Sequence, residues 1–152
     1  MLDATSTILV IDDDVDLRNS LGRLLRSVGL NARLFASVSD FLKSEPIEGP
    51  GCLVLDVRLP GQSGLEFQRE LAAAGRELPI IFITGHGDIP MSVQAMKSGA
   101  IEFLTKPIRD QELLDAIQFG LTRDRVRRET ESALSDLRRR FATLSPDRKS
   151  VV

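Results

Sequence analysis

The sequence has no tryptophan, no tyrosine and a single cysteine, Cys52, among its 152 residues. One cysteine cannot form an internal disulfide bond, which fits a reducing compartment. Because Cys52 opens an apolar run, we expect a small buried side chain rather than a nucleophile. No apolar run approaches the roughly 18 residues that a membrane span needs, and residues 1–7 do not resemble a signal peptide. These absences predict a cytoplasmic protein.

A strong net charge is also lacking. The formal net charge of −2 provides no basic field that would attract nucleic acid. Residues 1–110 carry 11 Lys+Arg against 15 Asp+Glu, whereas residues 111–152 carry 9 against 7, which predicts two parts of different character. The hydrophobic content of 42% is sufficient for a sizeable core in a chain of this length.

Four short apolar runs each end at residues suited to metal or phosphate chemistry. The runs cover residues 8–11, 53–55, 80–83 and 101–104. The polar residues that follow them are, in order, Asp12 with Asp13 and Asp14, then Asp56, then Thr84, then Thr105 with Lys106. The carboxyl ends of parallel strands lie along one edge of a sheet, so these side chains are expected to meet there.

Segments with helical spacing alternate with these strands and with a more polar strand at 31–35. The helices are expected at about 17–28, after Ser37, from Ser63 to Gly75, at about 88–98, and past Leu121 after a cap at Asp110. Residues 47–51 are expected to form a loop. Right-handed crossovers then predict an α/β fold, a doubly wound parallel sheet of five strands with five helices. The helix at 88–98 has a thin apolar stripe, which makes it a candidate for movement.

The last helix is expected to extend well beyond the sheet, because residues 122–140 contain neither proline nor glycine. A weak heptad runs through Phe119, Val126, Ala133 and Arg140, with Leu137 at a partner position. The alternative is a solvated charged helix without a partner.

The acidic cluster suits a divalent cation. Mg²⁺ is usually held by one or two carboxylates, with water and phosphate oxygens completing its shell, and Asp56 with Asp12 and Asp13 supplies the carboxylates. Lys106 and the Thr84 hydroxyl would neutralise the remaining charge of a phosphoryl group attached to a carboxylate nucleophile.

These residues resemble the receiver domain of two-component response regulators, the CheY-like family, over about residues 6–122. The motifs that carry the resemblance are Ile11-Asp12-Asp13-Asp14, Asp56 followed by Pro60 and Gly64, Thr84-Gly85, and Phe103 with Lys106-Pro107. The resemblance implies the flavodoxin-like strand order 2-1-3-4-5. It also implies a regulator that is not itself an enzyme.

By this resemblance Asp56 is the phosphoacceptor. Asp13 would bind Mg²⁺ directly, Asp12 through water, and the backbone carbonyl of Arg58 would complete the protein ligands together with Asp56. Lys106 would bind a phosphoryl oxygen.

Three further expectations follow from the resemblance. Thr84, which would also bind the phosphoryl group, and Phe103 would form the conformational switch, and the bond before Pro107 would be cis. The phosphodonor would be a phosphohistidine on a sensor histidine kinase. His86 would then tune the lifetime of the phosphoryl group or have no role.

The motifs around Thr84 and Lys106 most resemble regulators related to the nitrogen-fixation regulator of rhizobia, which carry a LuxR-type helix-turn-helix domain. Residues 1–122 would then be the receiver, and residues 123–152 a helical linker and the start of a DNA-binding domain that the chain does not complete. Residues 140–146 resemble the opening segment of that domain. Phosphorylation would promote a homodimer, and DNA would be bound only through the missing domain.

Two other classes of protein share part of this pattern. A phosphohydrolase of the haloacid-dehalogenase type also uses an aspartate nucleophile, but it would need a second carboxylate where Arg58 stands. A flavin- or dinucleotide-binding module shares the architecture. It lacks support because no Gly-x-Gly-x-x-Gly follows the first strand and three acids stand there instead.

Overall fold

A computed structural model describes residues 5–85 and 89–144 of the chain. The elements alternate between strand and helix in the order expected. They are β1 (Thr7–Ile11), α1 (Val15–Ser27), β2 (Asn31–Phe35), α2 (Val38–Leu42), β3 (Gly51–Asp56), β4 (Arg58–Leu59), β5 (Gln62–Ser63), α3 (Gly64–Ala73), β6 (Ile80–Thr84), α4 (Ile89–Lys97), β7 (Glu102–Thr105) and α5 (Asp110–Leu144).

The main sheet has five parallel strands in the order β2-β1-β3-β6-β7. Counting only these five, the order is 2-1-3-4-5, so the predicted fold is confirmed. The sequence did not predict the antiparallel hairpin of β4 and β5. Its turn is Pro60-Gly61, and Gly61 has φ of 80°, the left-handed value that the third residue of a type II turn requires.

The sheet separates two hydrophobic layers. Alternate residues of the central strands face opposite sides, as the period of two in a strand requires. Ile8, Cys52 and Val54 pack with α1 and α5 on one side, while Leu9, Leu53 and Leu55 pack with α2, α3 and α4 on the other. Every residue of β1, β3 and β6 is buried, whereas β2 lies at an edge and is partly exposed.

The two helices with unusual sequences behave as expected. Among the described residues of α4 only Ala95 is buried, so this helix is held by little apolar contact. Helix α5 extends over 35 residues, which confirms the predicted extension. No helix within residues 5–85 and 89–144 has the length and apolar character needed to cross a membrane.

Two predicted boundaries were inaccurate. Residue 51 was expected in a loop, but Gly51 pairs with Thr7 and opens β3. Asp110 was expected to precede its helix as a cap, but it lies in the first turn, because the carbonyl of Arg109 already accepts the Leu113 amide at 3.1 Å.

Candidate functional site

A lysine and two carboxylates from three different strand ends meet at the carboxyl edge of the sheet. Lys106 Nζ lies 3.1 Å from Asp12 Oδ2 and 3.2 Å from Asp56 Oδ2. Asp12 follows β1, Asp56 ends β3, and Lys106 follows β7. The side chain of Asp12 is fully buried and that of Asp56 is 7% exposed, so the ammonium group balances charge that water hardly reaches.

Asp13 completes an acidic cluster with these two carboxylates. One carboxylate oxygen from each of Asp12, Asp13 and Asp56 lies within 4.8 Å of the others. Oxygen donors at this spacing fit a hard divalent cation such as Mg²⁺, which needs ligands at about 2.0–2.1 Å and keeps several waters. Asp13 is exposed while the other two are buried, so the cluster is open to solvent on one side.

The loop after β1 is held by hydrogen bonds that fix Asp12. Its Oδ1 accepts the Asp14 amide at 2.8 Å, and its carbonyl accepts a bond from Arg18 Nη1 at 2.7 Å. Asp14 caps α1, with Oδ1 accepting the amides of Asp16 and Leu17. Asp14 is therefore the N-cap of α1, and no pattern in the sequence predicts the bond from Arg18.

Hydrogen bonds fix both the side chain of Asp56 and the backbone that follows it. Its Oδ1 accepts the Arg58 amide at 2.9 Å, and the following residue, Val57, donates its amide to the Ile83 carbonyl at 3.0 Å. Gly64 lies directly beneath, because a Cβ at that position would be 2.6 Å from the Asp56 carbonyl oxygen. Only a glycine permits this approach of α3 to the end of β3.

Thr84 lies on β6, the strand next to that of Asp56, and Phe103 lies on β7, the strand beyond β6. Thr84 is fully buried at the end of β6, and its carbonyl accepts the Lys106 amide at 2.7 Å. Phe103 is half-buried on β7, with its ring centroid 6.3 Å from that of Phe82. The bond between Lys106 and Pro107 is cis. The expectation for His86 concerns a residue outside the described ranges.

The electrostatics favour a charged lysine in an acidic site. Burial raises the pKa of the Asp12 carboxyl, although the Asp14 amide and Lys106 oppose this effect. Burial alone would lower the pKa of Lys106, but its bonds to Asp12 and Asp56 outweigh burial and raise that pKa. Lys106 is thus held in the protonated form that binds an anion.

Two residues outside the predicted site also bind the elements around it. Gln68 is buried in α3, and its Nε2 donates to the Ala95 carbonyl of α4 at 3.1 Å. Asp124 on α5 is 1% exposed, and its Oδ2 accepts the Gly51 amide at 2.8 Å. The spacing of Asp124 from Ile117 and Leu121 places it on the buried face of α5, a signal that was available in the sequence.

The fold and the acidic edge define a class of signalling domain, and comparison with known families agrees. Residues 8–118 match the family described as the response regulator receiver domain. The chain belongs to this family, and the haloacid-dehalogenase alternative is not supported.

Individual relatives are similar to this chain over most of its length. Nodulation protein W of Bradyrhizobium diazoefficiens is 53% identical over 145 residues, which are 95% of this chain and 64% of that protein. The transcriptional regulatory protein FixJ of the same organism is 40% identical over 95% of this chain and 71% of its own length. Among solved structures, the response regulator StyR superposes with a TM-score of 0.86 at 48% identity, covering 92% of this chain and 71% of StyR.

The predicted sequence relationship to nitrogen-fixation regulators is therefore confirmed. The chain spans roughly two thirds of the length of these curated relatives.

Proposed function

We propose that Asp56 accepts a phosphoryl group from a phosphohistidine on a sensor histidine kinase in the cytoplasm. In this reaction an Asp56 oxygen attacks phosphorus, the P–N bond to the kinase histidine breaks, and the released imidazole takes a proton from solvent. The observation that carries the proposal is the placement of Asp56 at the end of a buried strand, 3.2 Å from Lys106 and within the acidic cluster.

The acidic cluster is the proposed cation site. Asp13 and Asp56 would bind Mg²⁺ directly, Asp12 through water, and the Arg58 carbonyl would complete the protein ligands. When bound, this cation would screen the negative charges of the carboxylate and the incoming phosphoryl group. The oxygen-only donor set and its spacing support this choice of metal.

Lys106 and Thr84 would bind oxygens of the attached phosphoryl group. In the unphosphorylated protein Lys106 spans Asp12 and Asp56, so its ammonium group is already aimed at the acceptor. Thr84 is in the last position of β6, one residue beyond Ile83, the register partner of Asp56. A short inward movement of its hydroxyl would reach the phosphoryl group.

Thr84 and Phe103 would convert phosphorylation into a change of surface. Inward movement of Thr84 vacates space that the half-buried Phe103 ring can occupy. The ring has no hydroxyl group that needs a new partner, so its two positions can differ by only a few kcal/mol in free energy. The weakly held α4 would repack in response. Its exposed Val93 and Met96, together with Lys97, are the proposed dimer contact.

We assign residues 1–122 to the receiver and residues 123–152 to the linker and the start of the output region. The linker helix would carry the dimer signal to an attached DNA-binding domain, in keeping with the relative FixJ, a transcriptional regulatory protein. An exposed apolar series on α5 supports pairing of two such helices; it comprises Phe119, Val126, Leu134, Leu137 and Phe141.

The phosphoacceptor proposal is tested by intact-mass measurement after incubation with acetyl phosphate and MgCl₂. The wild-type protein should gain the mass of one phosphoryl group, and Asp56→Asn should gain none. Asp136→Asn, an exposed change on α5, is the matched control and should behave like wild type. Full incorporation by the Asp56 variant, or in excess chelator, would refute the assignment.

The switch proposal is tested by sedimentation with and without beryllofluoride, which mimics the phosphoryl group. A dimer that forms only with the mimic supports the proposal. A protein that stays monomeric at high concentration contradicts it, and a dimer equally stable without the mimic would mean that association occurs through α5 independently of phosphorylation.

A further inference from the structure

Helix α5 packs closely against the sheet beside β3, at Gly120. A Cβ at Gly120 would lie 2.6 Å from Ile101 Cδ1 and 3.0 Å from Cys52 Sγ. A side chain at position 120 would have to displace the end of the Ile101 side chain and would crowd Cys52, so the glycine lets the helix backbone pack close to the start of the phosphoacceptor strand.

One turn later, a buried carboxylate ties the same helix to the same strand. Asp124 Oδ2 accepts the Gly51 amide at 2.8 Å. The neighbouring strand β6 begins opposite Leu53, so Gly51 lies beyond the start of β6, and the carboxylate of Asp124 accepts the amide that β6 does not reach. A helix thus completes the hydrogen bonding of β3.

Two arginines on the next turn bind the same carboxylate. Arg127 donates from Nη2 to Asp124 Oδ1 at 2.8 Å, and Arg128 donates from Nε to Oδ2 at 2.9 Å. The side chain of Asp124 is fully buried, while those of Arg127 and Arg128 are about 30% exposed, at 28% and 33%. A buried carboxylate with this many donors is strongly fixed in position, because losing any partner leaves charge without compensation.

We propose that Asp124 is a positioning residue for signal output: it anchors the linker helix to the amino end of the strand that carries Asp56 at its carboxyl end. Residues 120–128 of α5 then move as one body with the receiver sheet, and the free helical arm starts after Arg128 rather than at residue 123. The anchor itself is independent of phosphorylation, whereas its role in output depends on the function proposed above.

Further along α5, a second aspartate–arginine pair is exposed, unlike the pairs of Asp124. Asp136 pairs with Arg139 on the same helix, and both side chains are more than half exposed, at 54% and 74%. The pair provides a matched control, since it has the same residue type and the same i, i+3 spacing as Asp124 and Arg127 but its carboxylate is exposed rather than buried.

Amide hydrogen exchange, followed by mass spectrometry on the full chain without phosphodonor, tests the anchor. Asp124→Asn should exchange at least tenfold faster than wild type in peptides covering residues 119–132. Peptides from β1 and α1 should keep their wild-type rates. Asp136→Asn should exchange like wild type throughout, because it removes only an exposed pair.

Two results would overturn the proposal. One is unchanged exchange in residues 119–132. The other is an equal acceleration in every peptide, which would make Asp124 a general stability residue. If Asp124→Asn does not fold, Arg128→Met, which removes a single donor, should give the same local pattern with a smaller acceleration, and its absence would be equally decisive.

A second readout separates positioning from phosphoryl chemistry. Asp124→Asn should accept a phosphoryl group from acetyl phosphate at a rate within about twofold of wild type, because Asp124 lies at the opposite end of β3 from Asp56. A large loss of phosphoryl transfer would show that Asp124 acts on the acceptor site instead. If even the wild type takes up no phosphoryl group, the function proposed above fails while the exchange test of the anchor still stands.

Discussion

Replacing Lys106 with methionine should destabilise the protein when no divalent cation is present. Methionine keeps an unbranched apolar side chain but removes the ammonium group that lies 3.1 Å from Asp12 Oδ2 and 3.2 Å from Asp56 Oδ2. The variant leaves Asp12 fully buried without its cationic partner, next to a second carboxylate. Both the lost attraction and the like-charge repulsion disfavour the folded state.

The expected size of the effect follows from burial. Removing one partner of a fully buried ion pair costs about 3–5 kcal/mol. The Lys106 side chain is 26% exposed, so solvent screening lowers this figure. We expect the free energy of unfolding to fall by about 2 kcal/mol in chelator, with an unchanged dependence on urea concentration.

Urea denaturation with chelator and with saturating MgCl₂ is the appropriate assay. A cation bound by the carboxylates would supply the positive charge that the variant lacks, so MgCl₂ should recover at least half of the lost stability. Lys97→Met, which changes an exposed lysine in the last turn of α4, should cost less than about 0.5 kcal/mol. Equal losses for the two variants, or a Lys106 loss that MgCl₂ does not reduce, would refute this reasoning.

Three other outcomes are expected. MgCl₂ at about 100 times its dissociation constant should raise the wild-type free energy of unfolding by roughly 2.7 kcal/mol in urea denaturation. Asp13→Asn should lose most of this gain, because it removes an exposed ligand without disturbing the core, and an equal gain in the variant would exclude Asp13 from the site. Gly64→Ala should lower stability by about 1–3 kcal/mol, since its Cβ would meet backbone 2.6 Å away. Gly85→Ala should cost little, because a Cβ there meets no atom of the described residues within 4 Å. Equal thermal midpoints for the two variants would contradict the packing argument. Burial raises the pKa of the Cys52 thiol. The native protein should therefore resist iodoacetamide at pH 8 and react only after addition of denaturant. Rapid alkylation of the native protein would show that α5 does not cover Cys52.

The fold was predictable because its signals are local and repeated. Apolar runs of strand length, each followed by a helical stripe, allow few topologies once right-handed crossovers are required. The meeting of Asp12, Asp56 and Lys106 was predictable for the same reason, since residues that follow parallel strands share one edge. The paired strands β4 and β5 were missed because two residues on each side are too few to show a periodic pattern.

Long-range contacts between single polar groups were not predictable. The bond from Arg18 to the Asp12 carbonyl depends on the path of a loop, which no periodicity encodes. The predicted linker includes Asp124 because the resemblance to receiver domains extends only to about residue 122, although the helical spacing of Asp124 from Ile117 and Leu121 marks the buried face. The carboxylate is buried there because the Gly51 amide and two arginines bind it.

Asp56 is the residue that we expect to become phosphorylated. Borohydride reduces an aspartyl phosphate to the corresponding alcohol, homoserine, which is stable enough to locate by peptide sequencing in a mass spectrometer. After treatment of the protein with acetyl phosphate, MgCl₂ and borohydride, we predict homoserine at position 56 alone, and none when chelator replaces MgCl₂. Homoserine at position 12 or 13 with aspartate retained at 56 would contradict the account.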